Sequence, residues 1–497
     1  MERTKLSAAD RAFFALVSEA SFANPFGQRR QDLDHEILGE TKTAHWSLMV
    51  PHVIERVKKK LAGLDQGGVK RFQDFAEQDQ AFMRNVFLFD IFYECIDRFD
   101  ELIEQQATPG KYSVEVPFGE EVILQLTRRG LTRELACRCF SLFYQIRRAF
   151  YFIDIGLLGD CLCMRHLRES LWNHIFTSDI LLYETSLWNR MEDFSTLLIG
   201  PTGSGKGAAA AAIGRSGFIP FDEKQRRFTT GFAESFVSVN LTQYAETLLE
   251  SELFGHTKGS FTGAVSGHEG LLSLCGKHGS IFLDEIGDIS PSIQIKLLKV
   301  LEERSFTPVG SHKVQRFHGR VIAATHQPLD VLRRQGTFRD DFYYRLCSDC
   351  IELPSLYQRV QESPVELDIL IAHTVTWITG DRNKDLCHRV RDVIDTRLGP
   401  DYAWPGNVRE LAQCVRRVII KQDYQGDQSS KPEAPATESL ADQMRAGSLR
   451  AEDLVARYCK MLYKRLGTYE EVARRTDLDR RTVKRYVGMT SRLKIED

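Results

Sequence analysis

The sequence has almost no net charge: 66 Lys and Arg oppose 68 Asp and Glu, leaving −2 at pH 7. That excludes a whole-molecule basic surface, so any nucleic-acid contact must be local. Long apolar runs are missing as well, and no stretch approaches the roughly 20 residues that cross a bilayer. The opening MERTKLSAADRAFFALVSEA lacks an apolar core of signal-peptide length. These absences predict a cytoplasmic protein without membrane contact. Cysteine is present but not as a framework, because the 11 thiols are odd in number and scattered, which suits reduced side chains. Three close pairs, Cys137 with Cys139, Cys161 with Cys163 and Cys347 with Cys350, lack the repeated spacing and nearby histidines of a zinc site, so inert thiols are expected. Residues 1–165 show neither a phosphoacceptor pattern nor a recognisable ligand site.

What is present divides the chain. Its 497 residues exceed what one hydrophobic core supports, and two to four domains are expected. Helical spacing of apolar residues runs through 82–103 and 135–152, and the aromatic stripes there are predicted to be core rather than a ligand cage. A helical lead-in over 166–190 offers Trp172, Ile175 and Phe176 as buried anchors. From there the period changes. Strand signals at 195–199, 235–239, 280–283 and 320–324 alternate with helices, which predicts a parallel sheet covered by helices. The pattern turns helical again over 355–424, interrupted by the turn Trp404-Pro405-Gly406-Asn407. Residues 425–442, QGDQSSKPEAPATESLAD, read as a linker. The resulting division is a mostly helical region 1–165, an α/β subdomain 166–355, a helical lid 356–424, a linker 425–446 and an all-α C-terminal segment 447–497.

The run Gly200-Pro201-Thr202-Gly203-Ser204-Gly205-Lys206 fits the phosphate-loop pattern between a strand and an alanine-rich helix. Glycines let the backbone curl so that its N–H groups point at phosphate oxygens, and Lys206 neutralises the outer phosphates. ATP is the expected ligand. The next residue is Gly207, where such loops carry a Ser or Thr that binds magnesium, so Mg2+ must lean on water, phosphate oxygens and a second acidic site. Asp284 and Glu285, closing the apolar run SIFL, supply that site. Asp284 is expected to hold the hydrated metal and Glu285 to orient or deprotonate the attacking water.

Five segments, GPTGSGK, ELFGHTKGSFTGA, GSIFLDEIGD, FRDDFYYRL and WPGNVREL, together resemble the AAA+ domain of bacterial enhancer-binding proteins, the activators of sigma-54 RNA polymerase. The resemblance covers about 195–420 and implies a P-loop NTPase core with a helical lid. It implies that Gly259, Ser260, Phe261, Thr262, Gly263 and Ala264 form the loop tip that touches the sigma factor, although the family usually has alanine where Ser260 stands. Two glycines suit a mobile tip, and Phe261 and Thr262 offer one apolar and one hydroxyl contact. By the same resemblance Asn240 is the switch asparagine, expected to hold the Glu285 carboxylate. Thr325 lies on the sensor strand, Arg339 and Arg345 match the arginine fingers, and Arg409 matches the second sensor. His326 replaces a common asparagine. Fingers supplied by a neighbour require a ring, so the resemblance implies a homo-oligomer, usually a hexamer.

The C-terminal end is locally basic, with 14 Lys and Arg against 8 Asp and Glu over 445–497. Thr468-Tyr469-Glu470-Glu471 reads as a capping box opening a helix, and Asp479 as the N-cap of the next. Val472, Ala473, Leu478, Val483 and Tyr486 would form the seam of a helix-turn-helix. Arg480, Arg481, Thr482, Lys484 and Arg485 then face outward toward double-stranded DNA. This segment resembles the Fis-type domain that ends many such activators.

These residues lead to an ATP-hydrolysing transcription activator that binds upstream DNA and remodels the sigma-54 polymerase complex through its loop. Gly207 and His326 motivate an alternative, a nucleotide-gated DNA-binding regulator or scaffold without productive turnover. A general AAA+ remodeller of other proteins is a third reading.

Overall fold

Short apolar runs such as TLLI and SIFLD suit strands covered on both faces, and in the computed structural model they build one parallel sheet. The structure describes residues 3–39, 46–66, 68–107, 114–261, 264–426 and 451–488. Its strands are β1 (Thr196–Ile199), β2 (Phe221–Asp222), β3 (Arg227–Phe228), β4 (Phe236–Asn240), β5 (Ser280–Asp284), β6 (Ser305–Phe306), β7 (Gln315–Arg316), β8 (Arg320–Thr325) and β9 (Asp349–Glu352). Five of them pair in the order β4-β5-β8-β1-β9. Every neighbouring pair in that sheet is parallel, so all five carboxyl ends lie along one edge, where α/β sheets bind ligands.

Side chains alternate between the two faces. Leu197, Ile281, Leu283 and Val321 enter one core with Leu297 and Phe342, while Leu198, Phe282, Ile322 and Ile351 enter another. The lead-in helix Leu162–Phe176 covers that second face, and Trp172, Ile175 and Phe176 are all buried in it. The edge strand β9 has no sequence signal of its own because only Ile351 of its four residues is buried. It is tied down by Asp349, which accepts from His174 Nδ1 at 2.7 Å. Burial, aided by Arg320, pushes that imidazole down to about 4, so the contact is a hydrogen bond from a neutral ring.

The helices ahead of the sheet pack onto it. Arg148, on the helix Arg133–Gly156, is fully buried and donates to the carbonyls of Arg215 and Gly217 at 2.6 and 2.7 Å. Tyr144 stacks on Phe228 of the β2–β3 hairpin with centroids 4.1 Å apart. Residues Met1–Tyr424 accordingly form one unit and Gln425–Asp497 a second. Of the two aromatic stripes, Phe99, Phe140 and Phe143 are core, and Phe143 borders a cavity of about 330 Å3 together with Phe92 and Phe150. The prediction of core alone therefore missed a hollow that helical periodicity does not encode.

After the sheet in the chain, the helices Leu356–Glu362, Val365–Thr379, Lys384–Arg397 and Asn407–Lys421 share a core around Leu370, Val390 and Leu411. The second unit holds the helices Ala451–Leu466, Tyr469–Thr476 and Arg480–Gly488 around Cys459, Leu462, Val472 and Val483. Thr468 is the N-cap of the middle helix but its side chain makes no cap bond. The expected capping box fails because Glu471 pairs with Arg474 instead. Asp479 does cap the last helix, accepting from Arg481 N at 2.8 Å. Of the stretch expected as a linker, 425–446, all but residues 425 and 426 lie outside the described residues. Among the described residues, no helix is long and apolar enough to cross a membrane, and all 11 cysteines are free thiols.

Candidate functional site

The carboxyl edge of the sheet gathers the predicted phosphate site. β1 delivers Gly200, whose N–H donates to the Thr325 carbonyl at 3.3 Å. Gly203 and Gly205 take φ of 78° and 106°, the left-handed region that favours glycine. Lys206 opens the helix Lys206–Gly214 and donates through Nζ to Gly200 O at 2.8 Å and Pro201 O at 3.2 Å. Its ammonium therefore folds over its own loop, within reach of whatever the loop holds. Burial draws the Lys206 amine below its usual value, opposed by Glu285 and Asp284. Ser204 Oγ is buried without a hydrogen-bond partner, which leaves it free to meet a phosphate oxygen. Thr202 and Gly207 border the same cavity.

Register places the acids opposite. Asp284 is level with Asn240 on β4 and Ala324 on β8. Burial and the adjacent Glu285 raise the Asp284 carboxyl above its usual value, with Lys206 opposing. Two crowded carboxylates beside a lysine fit a bound divalent cation, since burying them without one is costly. Glu285 stands at φ 60°, a strained backbone for a non-glycine residue. That turn sends its carboxylate to His326, whose Nδ1 lies 2.7 Å from Oε2. Asn240 was expected to hold Glu285. Its Nδ2 instead lies 3.5 Å from Asp284 Oδ2, because the left-handed turn has carried the glutamate away. Thr325 is fully buried, its Oγ1 accepts from Gln327 N at 3.0 Å, and it does not border the cavity.

A cavity of about 450 Å3 joins these groups. Lys206, Asp284, Glu285 and Arg409 mark its polar end, and Leu157, Leu158, Met164 and Leu370 its apolar side. The apolar side was missed from the sequence, since Leu157 and Leu158 sit in a connection with no motif. The lid grips the loop directly. Asn407 donates from Nδ2 to Thr202 O at 3.0 Å and accepts at Oδ1 from Leu356 N at 2.7 Å, while Val408 N donates to Gly203 O at 3.1 Å. A Cβ on Gly203 would come within 2.3 Å of Gly406 O, so only glycine allows this approach. Asn407 itself holds φ 50°. Arg409 is thereby delivered to the cavity two residues into the helix Asn407–Lys421.

The remaining arginines point elsewhere. Arg339 pairs with Asp341 at 2.6 Å, and Arg345 donates to Leu301 O at 2.9 Å. Neither borders the cavity of its own chain.

A clasp holds the described flanks of the GSFTGA stretch. His256 bridges to His268, and Thr257 N donates to Val309 O at 3.1 Å. Gly259 N donates to Ala264 O at 2.9 Å. Phe261 is 40% exposed, its ring edge-on to His256 with centroids 5.0 Å apart. Ser260 Oγ has no partner, and its Cβ lies where a side chain on Gly310 would collide. Thr262 and Gly263 lie outside the described residues.

In the second unit, Arg480, Arg481, Lys484 and Arg485 are exposed, whereas Thr482, expected outward, is half-buried. Thr482 precedes Val483, the fully buried centre of the seam, which turns it partly inward.

A family profile described as Sigma-54 interaction domain matches residues 183–352. The transcriptional regulatory protein GlrR of Escherichia coli (strain K12) is 36% identical over 252 residues, 48% of this chain and 52% of its own. ZraR of Escherichia coli O157:H7 is 33% identical over 334 residues, covering 66% of this chain and 68% of its own. The Nif-specific regulatory protein of Azotobacter vinelandii is 38% identical over 238 residues, 48% of this chain and 41% of its own. The chain thus spans about half the length of GlrR and less of the Nif regulator.

Proposed function

Since this chain belongs to the bacterial enhancer-binding proteins, the sigma-54-dependent transcriptional regulators, we propose that it hydrolyses ATP to remodel the sigma-54 polymerase complex while bound to upstream DNA. The observation that carries this reading is the single cavity shared by Lys206, Asp284, Glu285 and Arg409. Loop N–H groups, Ser204 and Lys206 would bind the phosphates. Asp284 would hold Mg2+, with water and phosphate oxygens completing the shell. When bound, the ion would neutralise charge on the phosphoryl oxygens. Glu285 would position the attacking water once His326 releases its carboxylate, and Arg409 would report nucleotide to the lid.

Arg339 and Arg345 fit a role in trans, because each faces away from its own cavity. A ring of subunits, a hexamer by family habit, would then complete every site. The Gly259–Ala264 tip, with Phe261 exposed, is the proposed sigma contact, and Asn240 beside Asp284 links it to the phosphate end. The helical N-terminal region would regulate the ring, and the C-terminal helices would anchor it on double-stranded DNA. A cytoplasmic location follows from that role. Thr325, whose carbonyl accepts from Gly200 N at 3.3 Å, would support the start of the phosphate loop.

The scaffold reading retains one favouring observation: His326 occupies the Glu285 carboxylate that hydrolysis needs. Steady-state phosphate release by the full chain, with Glu285→Gln as the control, separates the two. Turnover is expected in the parent and loss of at least a hundredfold in the variant. Equal rates would leave a nucleotide-gated regulator. Thr262→Ala is expected to retain ATPase activity and lose transcription from a sigma-54 promoter, which a general remodeller would not.

A further inference from the structure

The helix Leu162–Phe176 begins at Cys161, which caps it with no side-chain hydrogen bond to the backbone. Two residues on, Cys163 places its Sγ 3.4 Å from that of Cys161. The third partner comes from the lid: Glu362, at the end of the helix Leu356–Glu362, accepts from Cys163 N through Oε2 at 2.8 Å. One sulfur of each cysteine and one carboxylate oxygen lie within 4.8 Å of one another. We propose that Cys161, Cys163 and Glu362 bind a thiophilic divalent cation of the zinc class, clipping the strap 157–163 to the lid.

Geometry and chemistry both favour it. At a metal–sulfur bond of about 2.3 Å, tetrahedral coordination separates two sulfurs by roughly 3.8 Å, a small adjustment from the spacing present. Two thiolates and a carboxylate form a soft, anionic set, and the fourth position is open to water. The scaffold around them is independently fixed. Glu366 accepts from Cys161 N at 2.9 Å and pairs with buried Arg359 at 2.7 Å, and Arg359 donates to Leu158 O at 2.6 Å. The strap therefore holds its shape before any ion arrives, with Cys161 buried and Glu362 reachable from solvent. Burial raises both thiols above their usual values, with Cys161 and Glu362 adding to the effect at Cys163. Binding releases one proton from each thiol, so affinity rises with pH. Because Leu157, Leu158 and Met164 border the nucleotide cavity, an ion here would fix that wall against the lid. Cys-x-Cys alone did not reveal the site, because the third ligand is 199 residues away.

The test uses the full chain, stripped with chelator under reducing conditions and titrated with zinc against a chromogenic competitor. One tight zinc per chain is expected, weakened at least tenfold in Glu362→Gln and in Cys163→Ser, the size typical of losing a metal-shell group. Cobalt in place of zinc should give a thiolate charge-transfer band that Cys163→Ser reduces. Circular dichroism confirms that the variants fold, and Glu362→Gln changes only an exposed side chain. No bound zinc in the parent overturns the proposal, as does unchanged binding in a Cys161→Ser, Cys163→Ser double variant, which would move the ion elsewhere. None of these readouts requires ATP turnover, so they stand or fall apart from the ATPase reading.

Discussion

His326 Nδ1 lies 2.7 Å from Glu285 Oε2, so the carboxylate assigned to water activation is held by a side chain rather than left open to substrate. A hydrogen bond to a charged group contributes about 1.5–3 kcal/mol, enough to keep Glu285 withdrawn until nucleotide or a neighbour displaces it. His326→Ala is expected to raise the ATPase turnover number several-fold with little change in the KM for ATP. A tenfold fall in turnover would instead assign His326 to positioning Glu285 for the reaction.

The motif-bearing parts of this site were legible because each motif is a local backbone device. Gly203, Gly205 and Lys206 announce a loop whose geometry their own residues dictate, and the apolar run ahead of Asp284 announces a buried strand. The His326–Glu285 pair was not legible, since it depends on the left-handed turn at Glu285 and on β8 lying beside β5. Leu157 and Leu158 were hidden for a similar reason. They enter the cavity only because Arg359 and Glu366 hold the strap, and nothing in residues 157–163 names those partners. β9 escaped notice because one buried isoleucine cannot make an alternating pattern.

Gly207 has open space where a Cβ would be built, with nothing within 4 Å and no positive φ. Restoring a hydroxyl there is therefore sterically free. Gly207→Ser is expected to lower the magnesium concentration for half-maximal ATPase activity by about tenfold, the scale of one metal-shell contact. The melting temperature should hold or rise, because replacing a helical glycine stabilises by roughly 0.5–1 kcal/mol. An unchanged magnesium dependence would mean that Asp284 and water already complete the shell.

Asp90 carries a different consequence. Burial, and then the nearby Glu94, raise its carboxyl from 3.8 to about 6, and its Oδ1 is buried without a partner. A raised pKa means that the folded chain holds this proton more tightly than the unfolded one. Its stabilisation is complete below the unfolded value and is lost as pH climbs through the folded value. Between about pH 4 and pH 6 this one group should cost up to roughly 3 kcal/mol. Urea denaturation across that window is expected to show the parent losing stability relative to Asp90→Asn, with the variant the more stable at pH 7. Parallel curves for the two proteins would remove Asp90 as the source.

The exposed basic residues of the last helix are not equivalent. Arg480 pairs through Nε with Glu470 at 2.8 Å, so its charge is already partly answered within its own unit. Arg481, Lys484 and Arg485 are exposed, and no salt bridge is formed by any of them among the described residues. On DNA, each phosphate neutralised contributes about 0.9 to the slope of log affinity against log salt. The double substitution Arg481→Ala, Arg485→Ala is therefore expected to weaken binding to a duplex and lower that slope by about 2. Arg480→Ala should do less, because the charge it removes is already partly answered by Glu470. Salt titrations by fluorescence anisotropy distinguish the two variants. An unchanged slope in the double variant would take phosphate contact away from this helix, and a greater loss in Arg480→Ala would show that the Glu470 pair opens on binding.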